Sequence, residues 1–124
     1  MRVVSETEQR STVTASGSMF ALAGPSQGST EVSTWRVALE EAVSGPVHII
    51  DREQVWMPFA GTLEVEVDGR TEHVKAGQAL ILSAGSVRQI TAIGGRAEAL
   101  VAMTVGGSAM MPGSEDKIPL PWAA

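Results

Sequence analysis

The sequence predicts an all-β chain, a sandwich or a barrel, with little or no helix. Three observations lead there. Several short stretches alternate apolar and polar residues with a period of two, as half-buried strands do because successive side chains point to opposite faces. Turn formers (Gly-Pro, Asp-Gly, Ala-Gly, Gly-Gly) interrupt the chain every few residues. No stretch carries the 3.6-residue periodicity of a helix for more than a turn or two.

In chain order, residues 1–16 are rich in Ser, Thr, Glu and Gln, with Val3, Val4 and Val13 scattered among them. They read as a loosely held arm or a short edge strand. Met19–Ala23 is a short apolar run of strand length, followed by a Gly-Pro-Ser loop from Gly24. Glu31–Leu39 alternates well, with Ser33, Trp35, Val37 and Leu39 sharing one face. Glu40–Val43 opens at most a turn of helix before Gly45-Pro46 stops it. Val47–Ile50 and Val55–Ala60 are the next two strands, joined by the turn Asp51-Arg52-Glu53. Thr62–Val67 then alternates strictly, Leu63, Val65 and Val67 inward and Glu64 and Glu66 outward. Asp68-Gly69 is a hairpin turn of the type that needs positive φ at both central residues. The return strand is Arg70–Lys75, followed by strands over Gln78–Leu82, Val87–Ile93 and Arg96–Val105, the last two parted by a turn at Gly94-Gly95. From Gly106 on, the chain reads as a tail rich in Gly, Met and Pro.

Composition narrows the functional classes. At 124 residues the chain is read as one domain able to bury a single core. Apolar residues make up 44%, charged residues 19%, and the net charge is -5, which suits a globular chain. An acidic balance argues against nucleic acid as partner. No apolar run is long enough to span a bilayer, and the first residues lack the apolar stretch of a secretory signal, so membrane partners are not expected and the cytoplasm is the default location. There are no cysteines, hence no disulfide, thiolate nucleophile or cysteine-zinc site.

The stretch V-H-I-I-D-R-E-Q-V-W-M-P-F-A-G-T-L-E-V-E-V-D-G, followed by K-A-G-Q-A-L-I-L-S-A-G-S-V-R, resembles the two sequence motifs of the cupin family. The resemblance covers about residues 31–105, the barrel core, with 1–16 as an arm and 107–124 as a Pro-rich tail, all within one domain spanning 1–124. It implies a jelly-roll β-barrel. It also implies a site. In the family, three histidines and a glutamate hold a divalent metal inside the barrel. Laid on this chain, the first motif puts His48 and Ile50 at its two histidines, Gln54 at the glutamate and Gly61 at the closing glycine. The second puts Gly77 and Gly85 at its glycines, Ser83 at its proline and Arg88 at the last histidine.

The departures from the family pattern shape the expectation. A catalytic metal usually takes three protein ligands and keeps an open position. Ile50 has no lone pair, an amide is a weak ligand, and an arginine has none to give. No bound metal and no cofactor are therefore expected. His73, the other histidine, is expected to point outward. Instead, strand alternation places His48, Ile50, Gln54 and Trp56 on the inward face, opposite Arg88 and Ile90, with Trp35 and Val37 on a wall and Met19, Met57 and Met103 nearby. Such a cavity suits a small organic molecule. The expected catalytic groups are His48 as general acid or base, Arg88 stabilising an oxyanion and Gln54 assisting; Trp35, Ile50, Trp56, Ile90 and Met103 are expected to bind the ligand. A buried Arg88 needs either a carboxylate, for which Glu98 is the candidate, or an anionic ligand. The function classes this leaves are a metal-independent isomerase or cyclase, similar to small cupins of bacterial secondary metabolism and acting on an anionic or enolisable aromatic or polyketide-like compound; a non-catalytic ligand-binding or sensing cupin; and a metal-dependent, dioxygenase-like cupin with an unusual ligand set. The resemblance also implies a homodimer. Arg outnumbers Lys seven to two, which fits a GC-rich bacterial source.

Overall fold

Ten strands pair into one antiparallel sheet that curls on itself as a jelly roll. They are β1 (Ser11–Val13), β2 (Gly17–Ala21), β3 (Val32–Leu39), β4 (His48–Ile50), β5 (Gln54–Val67), β6 (Arg70–Lys75), β7 (Leu80–Leu82), β8 (Val87–Thr104), β9 (Ser108–Met110) and β10 (Ile118–Pro119). The computed structural model describes residues 1–124, and its only helical pieces are three-residue 3-10 turns. No helix is long and apolar enough to cross a membrane.

The frame is the pair β5 and β8. β8 lies against β3 through residues 97–104, against β4 through Val87 and Arg88, and against β5 along most of its length. Both strands are too long for one flat sheet, and each bends in the middle. In β5 the bend is a break in register from Pro58 through Thr62. Gly61 has φ of +74, and a Cβ there would fall 2.4 Å from the Arg96 carbonyl oxygen, so only glycine fits. In β8 the facing bend falls at Gly94 and Gly95, both with positive φ. Sequence reading takes these glycines as turns that end strands. In the structure each is an irregularity within one strand, which keeps its neighbours and turns a barrel corner.

The inner surface follows the alternation of the strands. Ser33, Trp35, Val37 and Leu39 of β3 are buried, as are Leu63 and Val65 of β5 and Ala92, Ala97, Ala99 and Val101 of β8. All of these but the polar Ser33 form one apolar cluster with Ile50, Trp56, Val74, Leu82, Ile90 and Met103. Each large side chain so buried contributes about 1.5–3 kcal/mol. The alanines of β8 leave room where the sheet folds over. The opposite face of β3 carries Arg36, which bridges Glu6 at 2.7 Å and Glu98 at 2.6 Å and lies 3.9 Å over the Phe20 ring. Glu98 thus faces away from the barrel interior and does not pair with Arg88. The β5–β6 hairpin turns at Asp68-Gly69 with positive φ at both residues, and its return strand is Arg70–Lys75 as expected. His73 lies on the outer face, 3.0 Å from Glu64.

Of the two readings of the N-terminal segment, loose arm or short edge strand, the strand holds around Val13, and the tail, expected to be irregular, also joins the sheet. Part of the N-terminal arm is β1, paired with β2. The tail supplies β9, which adds to β4, and β10, which adds to β9. The tail strands do not announce themselves in sequence, because each is only two or three residues long and has no alternation to read.

Candidate functional site

A cavity of about 410 Å³ opens inside the curled sheet. Its deep wall is buried and apolar: Trp35, Val37 and Leu39 of β3, Ile50 of β4, Trp56 of β5 and Ile90 of β8. Its mouth is ringed by exposed residues, Pro46 from the loop before β4 and Met111, Ile118, Pro119 and Pro121 from the tail. Thr14, Ser16 and Met19, from the β1–β2 hairpin, complete the ring. The chain's three tryptophans, Trp35, Trp56 and Trp122, all stand on this wall.

The tail is held over the mouth by specific contacts. The Ser33 hydroxyl, fully buried on β3, donates to the Ala123 carbonyl at 2.6 Å. The Ser108 N–H donates to one Asp51 carboxylate oxygen at 2.7 Å and the Lys117 ammonium to the other at 2.9 Å. Burial works against the Asp51 carboxylate, but those two donors outweigh it and hold its pKa below the usual value. Sequence reading placed no tail residue at the site. The one available signal was the spacing Ile118, Leu120, Trp122, an apolar alternation inside a Pro-rich stretch.

Apart from the Thr14 and Ser16 hydroxyls in the ring around the mouth, the polar side chains of the cavity lie on β4 and β5. β4 starts at His48, whose ring faces the cavity half-buried, with Nδ1 2.8 Å from the Pro46 carbonyl oxygen. A carbonyl only accepts, so Nδ1 carries the proton and Nε2 presents a lone pair. Burial pushes the His48 pKa down; the Pro46 hydrogen bond opposes this, and the positive charge of Arg88 adds to it. His48 is therefore a neutral base at neutral pH. The ring thus bonds its own loop and not Gln54.

Gln54 opens β5 and lines the same cavity, 3% exposed. Its Oε1 accepts from Arg88 Nη1 and from Trp56 Nε1, each at 3.1 Å, and its Nε2 donates to Met103 Sδ at 3.6 Å. Arg88, the second residue of β8, pairs with His48 and is 1% exposed. Besides Gln54, its Nε donates to the Ser86 carbonyl at 3.1 Å and its Nη2 to the Ser83 carbonyl at 3.3 Å. The guanidinium thus ties the Ser83–Ser86 turn to β5. No carboxylate pairs with it, and burial lowers its pKa to about 10, which leaves it charged at neutral pH.

His48, Gln54, Trp35, Ile50, Trp56 and Ile90, all singled out from sequence, come together around one cavity. Arg88 and Met103 do not stand on its wall; both lie inside the barrel behind Gln54 and reach the cavity through it. Direct contact between Arg88 and a ligand, expected from its motif position, is therefore replaced by contact with Gln54. Two inward residues preceded by extended backbone look alike in sequence, and only the turn at Ser83–Ser86 decides where the longer one folds. Met57, expected near the cavity, points outward and is 38% exposed.

The position of the family's metal can be tested on its donors. His48 Nε2 is one good ligand. Gln54 Oε1 already accepts two hydrogen bonds, Ile50 has nothing to offer, and Arg88 brings a positive charge. No group of three or more His, Cys, Asp or Glu comes together anywhere in the chain. This donor set does not fit a tightly held divalent ion.

No protein-family model matches the sequence, and no curated protein is detectably similar to it. Solved structures are similar in fold. An RmlC-like cupin with a double-stranded β-helix fold from Methanocaldococcus jannaschii superposes with a TM-score of 0.67 over 84% of this chain and 90% of that one, at 13% identity. The polyketide cyclase RemF from Streptomyces resistomycificus gives a TM-score of 0.68 over 84% of this chain and 78% of its own, at 21% identity. The DMSP lyase DddQ from Ruegeria pomeroyi gives 0.66 over 91% of this chain at 16% identity, and the match spans 62% of that longer protein. The fold is that of the cupins.

Proposed function

We propose that this cupin-fold chain binds a small, flat, enolisable or anionic organic molecule inside the barrel and that His48 exchanges protons with it without a metal. The observation that carries this reading is the state of His48. Its Nδ1 proton is spent on Pro46, burial favours the neutral ring, and the residue lines a mostly apolar cavity with Nε2 left free of any protein partner. A neutral imidazole so placed takes a proton from carbon next to a carbonyl; the C–H electrons pass into the enolate, and the proton returns from Nε2 to the same or another carbon. Returned elsewhere, it completes an isomerisation; returned after a ring closes, a cyclisation. The positive potential of Arg88 favours the enolate, and it disfavours a lasting imidazolium, so the proton is handed back. The polyketide cyclase RemF, of similar fold, supports this class of chemistry, and the donor set that does not suit a metal supports its metal independence.

A second reading, binding without chemistry, is favoured by the absence of Arg88 from the cavity wall, since the enolate then lacks a direct guanidinium clamp. One probe separates the two. 2-Acetonaphthone is flat and carries exchangeable acetyl protons. Incubated in D2O with the protein and followed by proton NMR, its acetyl signal is expected to decay about 100-fold faster with the native chain than with His48→Gln. Equal rates with the probe bound would leave only the binding reading. A probe that does not bind at all would end both.

A further inference from the structure

The amide of Gln54 can face its neighbours in two ways, and the structure decides between them on chemical grounds. Oε1 lies 3.1 Å from both Arg88 Nη1 and Trp56 Nε1. Both of these groups can only donate. Turned over, the amide would set its NH2 against two donors in a buried place, one of them charged, and leave its oxygen on the Met103 sulfur, which cannot donate. So Oε1 is fully used, and one of the two Nε2 protons goes to Met103 Sδ. The remaining side-chain hydrogen-bonding capacity of Gln54 is one N–H, on a residue that lines the cavity.

We propose that Arg88 and Trp56 are positioning residues that lock Gln54 as a hydrogen-bond donor toward the cavity, so that the site selects molecules carrying a carbonyl or enolate oxygen. Together with His48 Nε2, which accepts, the chamber inside the mouth offers one donor and one acceptor, the Thr14 and Ser16 hydroxyls standing in the ring around the mouth. The ligand class that matches is a flat ketone, or its enol, whose oxygen accepts from Gln54 while the acidic C–H or O–H beside it meets His48. Neither Arg88 nor Trp56 needs to reach the ligand's oxygen; Arg88 acts through Gln54, and Trp56 supplies ring surface as well. This deepens the proposed function and rests on it for the occupant, but the polarity of Gln54 is a separate claim.

The test compares 2-acetonaphthone with 2-isopropenylnaphthalene, which has the same shape and no acceptor, by equilibrium dialysis. The native chain is expected to bind the ketone about fivefold more tightly than the hydrocarbon, the worth of one hydrogen bond. Gln54→Glu keeps an acceptor for Arg88 and Trp56 but removes the N–H, and the preference, read as the ratio of the two affinities within the same variant, is expected to vanish or reverse. Trp56→Phe removes one of the two donors that hold the amide together with part of the ring surface; it is expected to weaken both probes but the ketone more, so that the ratio falls. A purely structural role for Trp56 would weaken both probes alike and would count against the proposal. Equal binding of the two probes to the native chain, or a preference that survives Gln54→Glu, overturns it and leaves the cavity reading standing. Binding of neither probe overturns both.

Discussion

Replacing Arg88 with lysine keeps the charge and removes the planar fork. The native guanidinium makes three hydrogen bonds, to Gln54 Oε1 and Ser86 O at 3.1 Å and to Ser83 O at 3.3 Å, from a residue that is 1% exposed. A lysine ammonium is a point donor on a differently shaped stem and keeps about one of these. The loss is two hydrogen bonds from a charged donor, each worth about 1.5–3 kcal/mol, so a destabilisation of about 3–6 kcal/mol is expected. For a chain of this size that lowers the thermal midpoint by about 10–25 °C. Urea unfolding gives the number directly, provided the slope of the transition is unchanged between the two proteins. A loss below about 1 kcal/mol, close to the scale of a surface substitution, would refute the placement of Arg88 as the tie between the Ser83–Ser86 turn and β5. Because the charge remains, the His48 pKa is expected to stay below its ordinary value in the same variant.

Two other outcomes follow from the geometry. His48 has a folded-state pKa below its ordinary 6.5, so on acidification the unfolded chain binds its proton first, and the stability tied to neutral His48 is present above pH 6.5 and lost as pH falls through the folded value. The lowered carboxylates Glu6 and Asp51, with ordinary values of 4.5 and 3.8, lose their contributions only further down. Thermal midpoints measured between pH 6.5 and 4.5 should therefore fall with acid in the native chain more than in His48→Gln, and parallel curves would contradict this. Gly61→Ala forces a side chain into the left-handed region and its Cβ against the Arg96 carbonyl, so a loss of at least about 2–3 kcal/mol in urea is expected, and near-native stability would mean that the β5 bend is not built as described.

The fold was legible where a strand is long enough to show its alternation. β3 and the second half of β5 could be placed residue by residue, because Trp35, Val37, Leu63 and Val65 mark the inner face against polar neighbours, and Asp68-Gly69 sets the hairpin register. Gly61 and Gly94-Gly95 misled, since positive φ serves a turn and a bulge equally, and the choice depends on pairing far along the chain. The site was legible as a set of inward residues on β4 and β5. Its closure was not: β9, β10 and Trp122 owe their positions to β4 and β3, which no local pattern encodes. Nor was the direction of Arg88, which follows from two turn carbonyls, Ser83 and Ser86, that every sequence supplies and only a fold can aim.

The central claim, a neutral His48 offering Nε2 to the cavity, is open to direct measurement by long-range proton–nitrogen NMR of the histidine rings through a pH titration, with His48→Gln assigning the signals. The account predicts a protonated Nδ1 and a bare Nε2 at pH 7, with titration midpoint below 6.5. An imidazolium at pH 7, or a neutral ring with its proton on Nε2, would contradict it.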